Sequence, residues 1–475
     1  MTKYLCIHGH FYQPPRENAW LNKIPNQPSA APFDNWNERI SKECYAANTI
    51  IGDSSIRNNL SYINFNFGPT LLSWLKENDF VTYQNIIEAD RLSQDIFEGH
   101  GSAMSQCYNH IIMPLATLED KRTQIIWGIR DFEYHYKRKP EGMWLPETAV
   151  DIETLEIMVE SGIRYTILAP HQIAKVRAKG EDAWHDVAAS TFDTTQPYTC
   201  LLPSGKTISI FVYKGPLAND IAFGEMLDDV DKMTHRFNEI FDGVESGLLH
   251  TVTDGETYGH HRKEGHLTLN KFLVNVKNRS DITLTNYGLY LAKDNITHEI
   301  CINDNSSWSC AHGIERWRSD CGCCVGQADG WTQEWRTPLR DSLNWLKGEL
   351  DELFKTYTNE YGEMWVLRNN YIDYLLTSKG VDDPKLLKIL EMQKLGMYMF
   401  TSCGWFFDDI ARIEPQQILQ YAVRAMELAK ELNEFDLFDE FLNRIVLARS
   451  NCIEAQDGKK LCQEIRENKG VIEYV

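Results

Sequence analysis

Over the first 300 residues, short apolar runs alternate with helical patterns, and several of the runs stop at a cluster of acidic or imidazole side chains. Tyr4 to Ile7 is a short β run that ends at His8 and His10. Tyr62 to Phe67 is a second run, followed by a helical pattern through Leu71, Leu72 and Leu75. Asp151 to Ser161 reads as an amphipathic helix with Ile152, Leu155, Met158 and Val159 on one side; Gly162 stands where a C-terminal cap belongs, and Tyr165 to Leu168 is the next strand. Thr207 to Tyr213 alternates after the turn Pro203–Ser204–Gly205–Lys206, and Leu248 to Val252 and Ile282 to Leu284 are further strands. Strands alternating with helices predict βαβ units and a parallel sheet. In a barrel built this way the chemistry sits at the C-terminal strand ends. That is where His8, His10, Glu147 and Asp254 stand in the sequence.

From about residue 330 the texture becomes helical. Trp331, Trp335, Leu339, Leu343, Leu346, Leu350 and Leu353 recur at three- and four-residue steps, and a second long helix follows Pro415 with Leu419, Val423, Met426 and Leu428. A chain of 475 residues with 43% hydrophobic content is long enough for one α/β barrel and a helical partner. The expected division is a barrel over residues 1–320 and an α-helical domain over 321–475, packing on the barrel and completing its cleft.

The net charge of −20 disfavours nucleic acid and anionic lipid as partners. The N-terminal residues lack the basic start and long apolar run of a secretory signal, and no stretch approaches a membrane span. A cytoplasmic location is expected, with the 12 cysteines mostly reduced. Oligomeric state is not legible.

Three constellations carry chemistry. Trp144–Leu145–Pro146–Glu147 places a carboxylate just past an apolar strand, stiffened by proline; a nucleophile needs that rigidity. The bland reading is a loop glutamate at a helix start. Residues 253–261, Thr-Asp-Gly-Glu-Thr-Tyr-Gly-His-His, follow another strand with two acids and two histidines. One acid suits a general acid of raised pKa; the alternatives are a capped turn or metal ligands. His8 and His10, at i and i+2, point the same way from a strand and could bond sugar hydroxyls or a metal.

Together these motifs resemble glycoside hydrolase family 57, the α-amylase, 4-α-glucanotransferase and branching-enzyme group. The resemblance runs over roughly residues 4–430. His8, His10, Gln13 and Pro14 match the first family motif, with Phe11 and Tyr12 inserted; Gly99 to Gly101 with Tyr108, His110, Ile112 and Pro114 match the second. Trp144–Glu147 and Asp254–Gly259 match the third and fourth, and Ser307–Trp308–Ser309 with Trp317 resembles the fifth. A further tryptophan-bearing stretch is Ser402 to Trp405. The insertion and the stretch from Trp308 to Cys324 point to a separate branch. The chain stops soon after its helical region, and whether it is a fragment of a longer protein is not legible.

The resemblance implies a (β/α)7 barrel followed by a C-terminal helical domain, an α-glucan or oligosaccharide substrate, and a retaining mechanism. Glu147 is then the nucleophile and Asp254 the general acid and base. His8, His10, Gln13, His110, Trp144, Glu256 and His260 are expected around the substrate, with Trp308, Trp317 and Trp405 as stacking platforms. No cofactor is expected and no metal is assigned to this site. Two alternatives remain: a metal-dependent hydrolase of the α-mannosidase or polysaccharide deacetylase type using His8, His10 and His260 or His261, and an inactive glycan-binding protein. Separately, Cys310, His312, Cys321, Cys323 and Cys324 crowd together at irregular spacing, C-x10-C-x-C-C. A loop of reduced thiols is the expected reading, with a structural metal site as the alternative.

Overall fold

In the computed structural model the described residues are 2–188, 190–326, 328–433 and 436–470. Their strands are β1 (Lys3–Phe11), β2 (Asn64–Phe67), β3 (Ser105–Gln106), β4 (Met143–Trp144), β5 (Tyr165–Leu168), β6 (Ile173–Ala178), β7 (His185–Asp186), β8 (Tyr198–Leu201), β9 (Thr207–Val212), β10 (Gly247–Asp254), β11 (Ile282–Leu284) and β12 (His298–Ile302). The chain divides into two compact units: Met1–Gln13, Trp36–Gln106 and Phe132–Asp304 form the first, and Pro14–Asn35, Cys107–Asp131 and Asn305–Val475 the second.

The first unit is a (β/α)7 barrel. β1 runs parallel to β10 in continuous register, from Lys3 opposite Gly247 to His10 opposite Asp254. On its other side it pairs β2, with His8 opposite Asn64 and His10 opposite Asn66. Parallel contacts continue through the Phe65–Ala103 bridge, the β3–β4 pair, the Gly142–Tyr165 bridge and the β5–β9 pair. Just past β9, the Lys214 amide donates to the His250 carbonyl of β10 at 3.0 Å and closes the ring. β11 pairs only the first three residues of β1. β8 runs antiparallel to β9 and leads into an arm that also holds β12, β6 and β7.

The barrel strands are covered on both faces: β1 is buried from Leu5 to Phe11, and all of β2 and β5 is buried. Caps fall where local chemistry places them. Asp151 accepts from the Thr154 amide at the start of the helix Ile152–Glu160, and Gly162 past its end has φ +90°.

The second unit is helical. Its long elements include Arg336–Thr358, Met364–Thr377, Pro384–Tyr398 and Ile413–Asn433. Leu339, Leu343, Leu346 and Leu350 are fully buried, as the heptad-like spacing predicts. Its boundary differs from the one expected. The units divide at Asp304 rather than at residue 320, and Pro14–Asn35 and Cys107–Asp131 group with the C-terminal half. Such grouping depends on contacts distant in sequence, which periodicity does not encode. No helix among the described residues is long and apolar enough to cross a membrane.

Candidate active site

The site builds up from the C-terminal ends of β1, β2, β4 and β10. Pairing sets Asp254, the last residue of β10, beside His10. The turn after Asp254 lies flat because Gly255 has no side chain: a Cβ there would fall 2.2 Å from Cδ1 of Phe11. Asp254 keeps solvent access while protein atoms crowd it on most sides. That removal from bulk water, reinforced by the charge of Glu147, raises its carboxyl to about 7. The charge of one acid thus bears on the ionisation of another carried by a separate strand.

Glu147 reaches the site through a strained turn. Past β4 the chain takes left-handed φ at two consecutive non-glycine residues, Glu147 at +56° and Thr148 at +48°. Such conformations cost about 1–3 kcal/mol each and persist only where the surroundings enforce them. Gln172 supplies that enforcement. Its Oε1 accepts from Thr148 Oγ1 at 2.8 Å and from the Ala169 amide at 2.9 Å, and its Nε2 donates to the Thr148 carbonyl at 2.8 Å. Glu147 is left half-buried, while Pro146 and Thr148 on either side are buried.

Beneath the acids lies a polar layer. Asn66 binds His8 Nε2 through Oδ1 at 3.0 Å, lies 2.9 Å from His10 Nδ1 through Nδ2, and donates to Gln106 Oε1 at 2.7 Å. Asn64 Nδ2 lies 3.1 Å from His8 Nδ1. Both ring nitrogens of His8 are thereby engaged by amides, which argues against His8 as a metal ligand. Trp144 stacks on His8 at 5.3 Å and on His10 at 4.7 Å between ring centroids. Burial pushes both imidazoles down to about 3, so they are neutral at physiological pH. Glu256 accepts through Oε1 from the Tyr12 amide at 3.0 Å and from Tyr45 Oη at 2.6 Å. Burial lifts its carboxyl to about 8 against the Tyr45 hydrogen bond, with the charge of Asp254 adding to the lift. Gln13 donates to the Tyr12 carbonyl at 2.8 Å. His260 pairs with the Glu43 carboxylate and meets Trp36 edge-on.

Several of the expected substrate residues belong to the second unit. His110 belongs to the second unit, is 1% exposed, and bonds Ser402 Oγ through Nδ1 at 2.6 Å; it is a buried strut. Trp317 and Trp405 are fully buried in the same unit, so neither offers a face to a sugar. Arg340 explains their burial: its Nε donates to the Trp317 carbonyl at 2.9 Å, and its guanidinium lies 3.9 Å from the Trp405 ring centroid. Trp308 is half-buried. Trp144 is fully buried and positions the two histidines from within. Asn64, Asn66, Gln106, Tyr45, Glu43 and Gln172 escaped the sequence reading, and Tyr12 enters it only as part of an insertion. A signal existed for two of them, because Asn64–Phe65–Asn66–Phe67 puts two amides on one face of an otherwise apolar strand.

A family model described as "Glycosyl hydrolase family 57" matches residues 20–293, and one described as a domain of unknown function (DUF3536) matches residues 331–469. No curated protein matches. Among solved structures, an exo-type maltose-forming amylase from Pyrococcus sp. ST04 superposes with TM-score 0.71 at 16% identity, covering 93% of this chain and 82% of that one. An α-amylase from Thermotoga maritima gives 0.60 at 13% identity over 97% and 99% of the two chains. A branching enzyme from Thermococcus kodakaraensis gives 0.59 at 16% identity over 94% of each. At these identities the likeness is one of fold.

Proposed function

The chain belongs to glycosyl hydrolase family 57, and on that premise we propose that it hydrolyses or transfers α-linked glucans with retention, using Glu147 as nucleophile and Asp254 as general acid and base. The family and the amylase and branching-enzyme neighbours support the substrate class. The observation that carries the residue assignment is that Asp254 ends β10 beside His10 while the left-handed turn past β4 brings Glu147 near enough for its charge to help raise the Asp254 carboxyl. A pair of acids with one proton held back suits double displacement.

In the first step a Glu147 carboxylate oxygen attacks the anomeric carbon. The glycosidic C–O bond breaks, and the leaving oxygen takes the Asp254 proton. In the second step Asp254, now ionised, removes a proton from water or from a sugar hydroxyl. That oxygen attacks the anomeric carbon, and Glu147 leaves as a carboxylate. Two inversions give net retention. Hydrolysis and transfer differ only in the acceptor. His10, beside Asp254 in the strand register, is neutral, which suits a sugar hydroxyl rather than a charge.

The test is incubation with maltooligosaccharides and starch, resolving products by chain length and by anomer. Glu147→Gln is expected to lose turnover by at least about 1,000-fold while remaining folded. Near-normal turnover in that variant rejects Glu147 as nucleophile, and an inverted product rejects the mechanism. Binding of oligosaccharides without cleavage or transfer under any condition rejects the enzyme reading in favour of a glycan-binding protein.

A further inference from the structure

Between β12 and the helix Arg336–Thr358, the described part of residues 303–335 holds one 3-10 turn, Glu315–Trp317, and no helix or strand. Loops this long without secondary structure are uncommon in compact units. Something other than a backbone ladder has to hold this one, and the residues that could do so converge within it.

Cys310, His312, Cys321 and Cys323 bring three sulfurs and an imidazole nitrogen to within 4.8 Å of one another. Cys310 Sγ and Cys321 Sγ are 3.9 Å apart, and Cys323 Sγ is 3.6 Å from His312 Nδ1. A tetrahedral zinc ion with ordinary bond lengths spaces its ligands about 3.8 Å apart for sulfur to sulfur and about 3.6 Å for sulfur to nitrogen. The observed edges fit that tetrahedron, and the sulfur–sulfur distance is far beyond the roughly 2.05 Å of a disulfide. All four cysteines of the loop are free thiols.

The backbone is shaped to aim these groups inward. Gly322, with φ +78°, turns the chain between Cys321 and Cys323 so that both sulfurs meet one centre. Gly313, with φ +83°, turns it after His312, and a Cβ there would lie 2.4 Å from the Asn305 carbonyl oxygen. Ser307 Oγ donates to the Gly313 carbonyl at 2.6 Å, and Arg336 Nη1 donates to the Cys323 carbonyl at 2.9 Å. The ends of the ligand loop are thus tied down independently of any metal.

We propose that Cys310, His312, Cys321 and Cys323 form a structural zinc site. The protein supplies all four ligands, which leaves no open position for water or substrate and makes the site structural rather than catalytic. Three sulfurs and an imidazole select zinc over magnesium or calcium. On binding, the coordinating thiols lose their protons to solvent. The ion staples the loop that carries Trp308 and Trp317. Cys324 stands outside the set.

The test uses the full chain, purified reduced. Metal content after gel filtration is expected at one zinc per chain. Titrating the stripped protein with Co2+ is expected to give intense thiolate-to-cobalt absorption and the visible bands of a tetrahedral ion. Cys321→Ser and His312→Ala should lose the bound metal, and Cys301→Ser, on β12, should keep it. Folded wild-type protein that retains no zinc and gives only the weak spectrum of octahedral cobalt overturns the proposal, whether or not the variants fold. So does full retention of zinc by both ligand variants.

Discussion

Asp254 and Glu256 stand two residues apart, both with carboxyls raised far above the usual range, and their surroundings give them different work. Asp254 keeps solvent access and has Glu147 as its charged neighbour. In the proposed role of acid in the first step it must carry a proton, and its carboxyl is raised to about 7. We therefore expect kcat/KM for a maltooligosaccharide to fall as pH rises through about 7, by about tenfold per pH unit once Asp254 is ionised. Asp254→Asn should lack this limb along with most of the activity. A wild-type profile that stays flat well into the alkaline range would count against the assignment. Glu256 is buried and titrates at about 8, so it is protonated at neutral pH while its Oε1 accepts from Tyr12 and Tyr45. A glutamine is nearly isosteric with that neutral acid. Glu256→Gln is expected to keep the wild-type melting temperature within a few degrees and lose less than about tenfold in kcat, because one neutral hydrogen-bonding group replaces another. A collapse of either would mean that Glu256 acts ionised.

At the scale of an element, the turn after β4 matters more than the strand itself. β4 is only two residues long, yet the next residues deliver Glu147 in a left-handed conformation that Gln172 clamps through Thr148. Gln172→Ala removes both of the hydrogen bonds that tie its amide to Thr148 in that turn, along with the one from the Ala169 amide. We expect kcat to fall about 10- to 100-fold, since displacements of about an ångström carry costs of that order, with KM changed little. Unchanged kcat, measured with the fold verified by circular dichroism, would show that the turn holds itself. The same scale explains why β1 and β2 work together. Their parallel register sets His8 and His10 against Asn64 and Asn66, so one strand's imidazoles are oriented by the other's amides.

For the molecule as a whole, the helical unit carries its own buried charge network. Asp120 pairs with Arg368 at 2.8 Å and with Lys347 at 3.2 Å, and Lys347 also reaches Asp351 at 2.6 Å. Burial pushes the Asp120 carboxyl up, but Lys347 and Arg368 pull it further down, and the net result lies below the ordinary value of 3.8. The sign follows: a depressed carboxyl stabilises the fold fully above its unfolded value, and this contribution is lost as pH falls through the folded one. Asp120→Ala takes the carboxylate from buried Arg368 and leaves Lys347 with Asp351 alone, and is expected to cost about 3–5 kcal/mol in urea unfolding at neutral pH. The gap between variant and wild type should shrink as pH falls below 3.8. A gap independent of pH would assign the cost to packing instead.

What the sequence by itself determined is local. Apolar runs interrupted by helical periodicity encode strands and helices, and the strands Tyr165–Leu168 and Ile282–Leu284 match their patterns to the residue. A polar residue just past an apolar run encodes a strand end, which is why Glu147 and Asp254 were legible. Tertiary structure decided what depends on which distant segments meet. It assigned His110 and its segment to the helical unit, buried Trp317 and Trp405 around Arg340, and brought Gln172 under the Glu147 turn. It also drew four irregularly spaced Cys and His side chains to one point. Side-chain pattern along a chain reports which way each residue faces. It does not report what it faces, because that is set by the long-range packing of the whole chain.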